Sequence, residues 1–127
     1  MEFEDYQDKV VATCPASNIN FAYMLFGLNA EVGKLNDKVE EWISSGVATI
    51  VNNHLVFNTS DVKVRDVYLA ELKKNLGRCL WFTAGLASDM WCELNDIAWY
   101  SLEVRSEREV ECKEREHEIL LYDEPTK

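Results

Sequence analysis

Apolar residues recur at alternating steps of three and four along two long stretches of this chain, and that spacing predicts two long amphipathic helices. In the first, Leu25, Leu28, Val32, Leu35, Val39 and Trp42 form the seam of a bundle helix running from about Asn20 to Ser45. In the second, Leu69, Leu72, Leu76, Cys79, Leu80, Thr83, Leu86 and Met90 mark a helix from about Val64 to Trp91. A shorter helix over residues 3–13 precedes them, with Phe3, Tyr6 and Val10 on one face, and Pro15 interrupts it. Ser17 or Asn18 is placed to cap the second helix, and Gly46 to end it. Gly77 and Gly85 lower the helix propensity of the third helix, which predicts close approach of a neighbouring helix at those positions.

The helical period fails between residues 47 and 64. There Ala48-Thr49-Ile50-Val51 and His54-Leu55-Val56-Phe57 flank Asn52-Asn53, the pattern of a tight β-hairpin, because asparagine tolerates the positive φ such a turn requires. A polar loop, Asn58-Thr59-Ser60-Asp61, follows. After a break near Cys92-Glu93 a fourth helix opens at about Leu94, with Ile97, Ala98 and Leu102 on its apolar side. The expected architecture is all-α: a bundle of four to five helices with a small β-hairpin inserted between the two long central ones. One helical domain over residues 1–106 is expected, with residues 107–127 as its charged C-terminal extension. That extension alternates acids and bases as a solvated helix would, then ends in the apolar cluster Ile119-Leu120-Leu121-Tyr122, a candidate docking segment for a partner subunit.

Composition narrows the function classes. The 127 residues suffice for one core, and no apolar run reaches the length of a membrane span. The acidic opening Met1-Glu2-Phe3-Glu4-Asp5 lacks the order of a signal peptide, so a cytoplasmic protein is expected. With 23 acids against 13 bases the formal charge is −10, which repels nucleic-acid backbones and anionic membranes. A phosphate-bearing ligand would therefore need a local basic pocket. Cys14, Cys79, Cys92 and Cys112 form no C-x-x-C pair, which argues against a zinc module and for reduced thiols, Cys79 lying in the core. His54 and His117 stand alone and read as surface residues. No phosphate-binding glycine loop, nucleophile elbow or H-E-x-x-H pair occurs.

Four segments carry a resemblance: Phe3-Glu4-Asp5-Tyr6-Gln7, Gly27-Leu28-Asn29-Ala30-Glu31-Val32-Gly33-Lys34, Asn75-Leu76-Gly77-Arg78-Cys79-Leu80-Trp81-Phe82, and Leu94-Asn95-Asp96-Ile97-Ala98. In their order and helical context they resemble the MazG-like, all-α nucleoside triphosphate pyrophosphohydrolases, over roughly residues 3–105. The resemblance implies four carboxylates, E-x-x-E on one helix and E-x-x-D on the next, binding magnesium that bridges phosphates and activates a water. Here only Glu31 is acidic. Lys34 stands at the second carboxylate position, Asn75 at the third and Arg78 at the fourth, while Ser101 and Val104 fall where the family's last helix contacts phosphate.

Magnesium requires hard oxygen ligands. At ~4 Å and an effective dielectric near ~20, a cation opposes another unit charge by roughly 4 kcal/mol, so Lys34 and Arg78 work against the ion. Without it there is neither Lewis acid nor activated water.

Three readings of the four positions stand side by side. Arg78 pairs with Glu31 across the helix interface, a buried ion pair needing no ligand. Alternatively Lys34 and Arg78 clamp a phosphorylated ligand directly in a metal-free pocket. In the third, other carboxylates, Asp37, Asp89 or Asp96, are recruited to catalysis. Trp81 and Phe82, with Tyr23 and Phe26, could stack a nucleobase or simply pack the core. Trp91, Trp99 and Tyr100 are candidates for a subunit interface.

The resulting expectation is a non-catalytic, nucleotide-binding protein, its ligand a linear or cyclic nucleotide held by Glu31, Lys34, Asn75, Arg78, Trp81 and Ser101, with no metal and no cofactor. The resemblance further implies a dimer or tetramer, and a phage-type role in which a nucleotide signal is sequestered and a host defence blunted. The alternatives are an active magnesium-dependent pyrophosphohydrolase and a protein-interaction module without ligand.

Overall fold

Asn20, rather than Ser17 or Asn18, starts the second helix: its side chain accepts the Tyr23 amide at 2.8 Å, while residues Ala16–Asn18 are taken up in a single 3-10 turn after Pro15. A cap must sit immediately before the first helical residue for its oxygen to reach the free amides, and only Asn20 does. The computed structural model describes residues 1–103. It contains α1 (Phe3–Thr13), α2 (Phe21–Ser44), β1 (Ala48–Val51), β2 (His54–Phe57), α3 (Val62–Asp89) and α4, over residues 94–103. The described residues are mostly helical with one small antiparallel hairpin, as expected. The charged extension with its apolar cluster, together with Val104, Cys112 and His117, lies outside the described residues.

The chain leaves α2 through Gly46, whose φ of +80° sets the left-handed residue that a helix C-terminus favours. The Val47 amide then reaches back to the Trp42 carbonyl at 2.8 Å, and the Gly46 amide to Ile43 at 3.2 Å. Asn52 and Asn53 both take positive φ, 51° and 66°, which is the geometry of a two-residue turn whose twist matches its strands. The register pairs Ala48 with Phe57 and Val51 with His54. The hairpin is fastened to the bundle by three rings. Trp42 meets Phe57 and Tyr68 edge-on at 5.6 and 5.1 Å, and Phe57 stacks on Tyr68 at 5.4 Å. Asp61 caps α3 by accepting the Lys63 amide.

At the other end of the molecule α1 and α4 pack on the C-terminal half of α3, around Val10, Ala84 and Leu94, with Tyr6 and Trp81 against them. One residue ties the three helices. The Gln7 amide donates to Ser88 Oγ at 3.1 Å and to the Cys92 carbonyl at 2.9 Å, and its oxygen accepts the Leu94 amide at 2.9 Å, capping α4 from α1.

Between these two ends α2 and α3 run antiparallel. The two glycines expected to mark a close approach behave differently. At Gly85 the Met24 thioether lies where a Cβ would sit, so the glycine is what admits Met24. Gly77 has nothing near it among the described residues, because it points away from α2. The unforeseen close approach is Gly27, whose missing side chain makes room for the Phe82 ring. Of the described cysteines Cys14 is buried, Cys79 half-buried and Cys92 exposed, all free thiols. No helix among the described residues is long and apolar enough to cross a membrane.

Candidate functional site

Glu31 on α2 and Asn75 on α3 are the buried polar side chains of the described structure, 5% and 1% exposed. They face each other midway along the helix pair. The Asn75 Nδ2 donates to Glu31 Oε2 at 3.4 Å, and Lys34 Nζ, one turn along α2, reaches Glu31 Oε1 at 3.3 Å. Asn75 Oδ1 accepts a 2.7 Å bond from Lys38 Nζ, which also lies 3.9 Å from Glu71. A carboxylate, an amide and two ammonium groups thus form a chain in which each buried polar atom is partnered, and no buried side-chain nitrogen or oxygen among the described residues lacks a hydrogen bond.

Arg78 does not join it. Its side chain is exposed and makes no ion pair or hydrogen bond among the described residues, so the pairing of Arg78 with Glu31 does not form. The reason is angular: Asn75 lies on the line of α3 that faces α2, and Arg78, three residues on, is turned away from that line by roughly 60° at about 100° per residue. Lys38, which the sequence reading did not single out, takes the inner place. The signal was available, since Lys38 lies seven residues after Glu31 and so on the same face of α2.

Beside this polar chain an open groove of about 360 Å³ runs between α2 and the Phe82 ring, lined by Tyr23, Phe26, Gly27, Ala30, Glu31, Lys34 and Phe82. Tyr23 and Phe82 approach at 6.1 Å between ring centres. Phe26 is 70% exposed, a large apolar ring left open at the groove's edge. Gly27 lets the Phe82 ring lie flush with α2 and thereby form one wall.

Two expected binding residues lie elsewhere. Trp81 is half-buried in the α1–α4 core with Val10, Ala84 and Leu94, edge-on to Phe82 at 5.1 Å, so it backs the groove's wall without lining it. Adjacent helical residues point about 100° apart, and Phe82 alone of the two can face α2. Ser101 is exposed on α4, and its hydroxyl donates to the Ala98 carbonyl at 2.6 Å within its own helix. Asp37, Asp89 and Asp96 do not assemble with Glu31; among the described residues no three acidic, histidine or cysteine side chains gather as a metal-binding group. Comparison with protein families, with curated proteins and with solved structures finds no match to this chain.

Proposed function

We propose that the groove between α2 and Phe82 binds an aromatic, phosphate-bearing small molecule, a nucleotide in chemical class, and holds it without hydrolysis. The observation that carries this reading is the groove's composition: three aromatic rings, Tyr23, Phe26 and Phe82, open onto the same space as the Lys34 ammonium. A flat base stacks on such faces regardless of its identity. Arg78, exposed and unpaired among the described residues, stands one turn from Phe82 on α3 and supplies the planar fork that suits a phosphate. Lys34 is 65% exposed at its side chain and lines the groove, so its ammonium is open to an anion there while it still faces Glu31. Stacking and two cations then act together in a protein whose overall charge would otherwise repel the ligand.

The donor set does not suit magnesium. Glu31 offers one carboxylate, and both its oxygens are engaged, one by a cation. Asn75 spends its oxygen on Lys38. An ion there would have to displace ammonium groups from the oxygens it needs. The reading is accordingly of a degenerate MazG-like domain in which three of the four ligand positions, Glu31, Lys34 and Asn75, have joined Lys38 in a polar clamp, while the fourth, Arg78, faces outward.

Melting of the protein with a panel of linear and cyclic nucleotides, in chelator, tests the proposal. Stabilisation that survives chelator, that falls in Arg78→Ala and Phe26→Ala, and from which intact nucleotide is recovered after denaturation is the expected result. Release of pyrophosphate in magnesium overturns the non-catalytic part. The absence of stabilisation by every nucleotide overturns the binding part.

A further inference from the structure

The residues lining the groove follow one another along α2 in a definite order. Tyr23, Phe26 and Gly27 come first, with the Phe82 ring laid against Gly27, then Glu31, then Lys34. At ~1.5 Å of rise per residue, Glu31 stands about 6 Å beyond Gly27 along the helix axis, and Lys34 about 4.5 Å beyond Glu31. The chemistry along the groove is therefore aromatic faces, a carboxylate, then an ammonium. A nucleotide has three parts in a matching order: a flat base, a sugar and a phosphate. With the base against the rings and the phosphate at Lys34, the sugar falls beside Glu31.

Glu31 has acceptor capacity left for that sugar. Its side chain is only 7% exposed, yet it forms part of the groove's wall. A carboxylate accepts at about four lone-pair positions and donates at none. Two of these are taken, by Lys34 Nζ at 3.3 Å on Oε1 and by Asn75 Nδ2 at 3.4 Å on Oε2. Both contacts are longer than the roughly 2.7–2.9 Å of a close charge-assisted bond. Asn75 is held in its orientation by Lys38, which binds the amide oxygen at 2.7 Å and so keeps the Nδ2 end on Glu31. Among the described residues each carboxylate oxygen thus keeps one acceptor position.

Only donors satisfy those positions, and the parts of a nucleotide differ in what they offer. An ionised phosphate has no donor and is repelled by the carboxylate, which sends it on to Lys34. Ribose carries hydroxyls on its adjacent 2′ and 3′ carbons. We infer that Glu31 accepts from this vicinal diol, one hydroxyl to each carboxylate oxygen, and that the groove selects linear ribonucleotides with both hydroxyls free. The inference rests on the nucleotide reading of the groove and narrows it. A stacked ligand displaces water from the carboxylate, and a deoxy sugar returns no donor in exchange, so the buried acceptor is left short. Leaving a polar group of the site unpaired is a strong means of rejecting an analogue that lacks one hydroxyl. A 2′,3′-cyclic phosphate has neither hydroxyl free, and a 3′,5′-cyclic one has lost the 3′ donor.

Calorimetric titration of the full chain, in chelator, tests it. The probes are the four ribonucleoside 5′-monophosphates and their 2′-deoxy and 2′,3′-dideoxy counterparts. Each lost hydroxyl removes a hydrogen bond to a charged group, so affinity is expected to fall about tenfold or more at each step. Glu31→Gln is expected to narrow the ribose-to-dideoxy ratio, a readout that a merely structural role leaves unmoved. The wild-type series decides the matter by itself if that variant does not fold. Equal or tighter binding of the deoxy and dideoxy forms overturns the inference and leaves the nucleotide reading standing. A loss confined to one of the two steps overturns the diol, since one hydroxyl then suffices. A ratio unchanged in folded Glu31→Gln overturns it as well, because another group then reads the sugar. Binding of none of the probes overturns this inference together with the nucleotide reading beneath it.

Discussion

Asn75 Nδ2 donates to Glu31 Oε2 at 3.4 Å while the other end of the same amide accepts from Lys38 at 2.7 Å, so one buried side chain joins a carboxylate to an ammonium across the α2–α3 interface. Removing the amide takes one hydrogen bond from the buried Glu31 carboxylate and the 2.7 Å acceptor from Lys38, leaving Glu31 to Lys34 and Lys38 to the more distant Glu71. Asn75→Ala is therefore expected to destabilise the fold by about 1–3 kcal/mol, the cost of leaving buried polar groups unpaired. Denaturant titration checks this. A change within ~0.5 kcal/mol, the size of an ordinary surface substitution, would show that water replaces the amide freely.

The glycines make a paired prediction of opposite sign. Gly27→Ala drives a methyl group into the Phe82 ring and is expected to cost about 1–3 kcal/mol, the usual penalty of overpacking. Gly77→Ala meets nothing among the described residues and replaces a helix-interior glycine, so a gain of about 0.5–1 kcal/mol is expected. Melting temperatures of the two variants should move in opposite directions. Phe82→Leu should relieve part of the Gly27→Ala penalty when the two are combined.

Trp91 holds a left-handed conformation, φ 56°, at the end of α3, and its side chain is 96% exposed. Its own amide bonds to the Ser88 carbonyl and the Cys92 amide to Ala87, the pattern that glycine usually closes. Trp91→Gly is expected to raise stability by about 1 kcal/mol, since the indole has no packing to lose and the Cβ strain is removed. Thermal denaturation decides it; a lower melting point would mean that the indole is buried against something beyond the described residues.

Gln7 caps α4 from α1, and its loss would leave the Leu94 amide unpaired. Gln7→Ala is expected to cost about 1–3 kcal/mol, and hydrogen exchange should show faster opening at residues 94–98 than in α2. Uniform acceleration across both helices would mean that the cap has no local role.

Tyr6 packs on the Val10, Ala84 and Leu94 cluster, and burial raises its phenol above the ordinary 10.0. In the unfolded chain the phenol ionises near 10.0, while in the folded chain it stays neutral to higher pH. Its contribution is thus complete below the unfolded value and is lost as pH rises through the folded one. Stability of the wild type should fall more steeply above pH 10 than that of Tyr6→Phe, as read from denaturation midpoints across that range. Equal slopes would place the phenol in water.

Phe26 and Arg78 carry the ligand prediction, because both are exposed. Removing a charge-assisted phosphate contact costs ~1.5–3 kcal/mol, so Arg78→Ala should weaken nucleotide binding by roughly tenfold to a hundredfold. Calorimetric titration measures it directly. Unchanged affinity would move the phosphate site away from α3.

Local signals settled most of the element plan. Asn52-Asn53 between two apolar runs announced the hairpin because positive φ is a property of those two residues and needs no partner. The three- and four-residue spacing along residues 25–42 and 69–90 announced α2 and α3 for the same reason, the helical period being intrinsic to the chain. The juxtaposition of Glu31 and Asn75 was legible only through the resemblance.

What tertiary structure alone decided is rotation about each helix axis. The sequence marks a seam on α2 and a seam on α3, and the natural expectation is that seams meet. Instead Gly27 and Gly85 let Phe82 and Met24 draw the helices together along lines centred beside the seams, which they meet at Trp42, so Glu31 and Asn75 are buried and Leu76 is left exposed. That rotation sends Arg78 outward, draws Lys38 inward, puts Phe82 in the groove and leaves Trp81 behind it. A periodic pattern determines which residues share a face. Which face meets a neighbour depends on how two irregular surfaces fit, and that is a property of the pair.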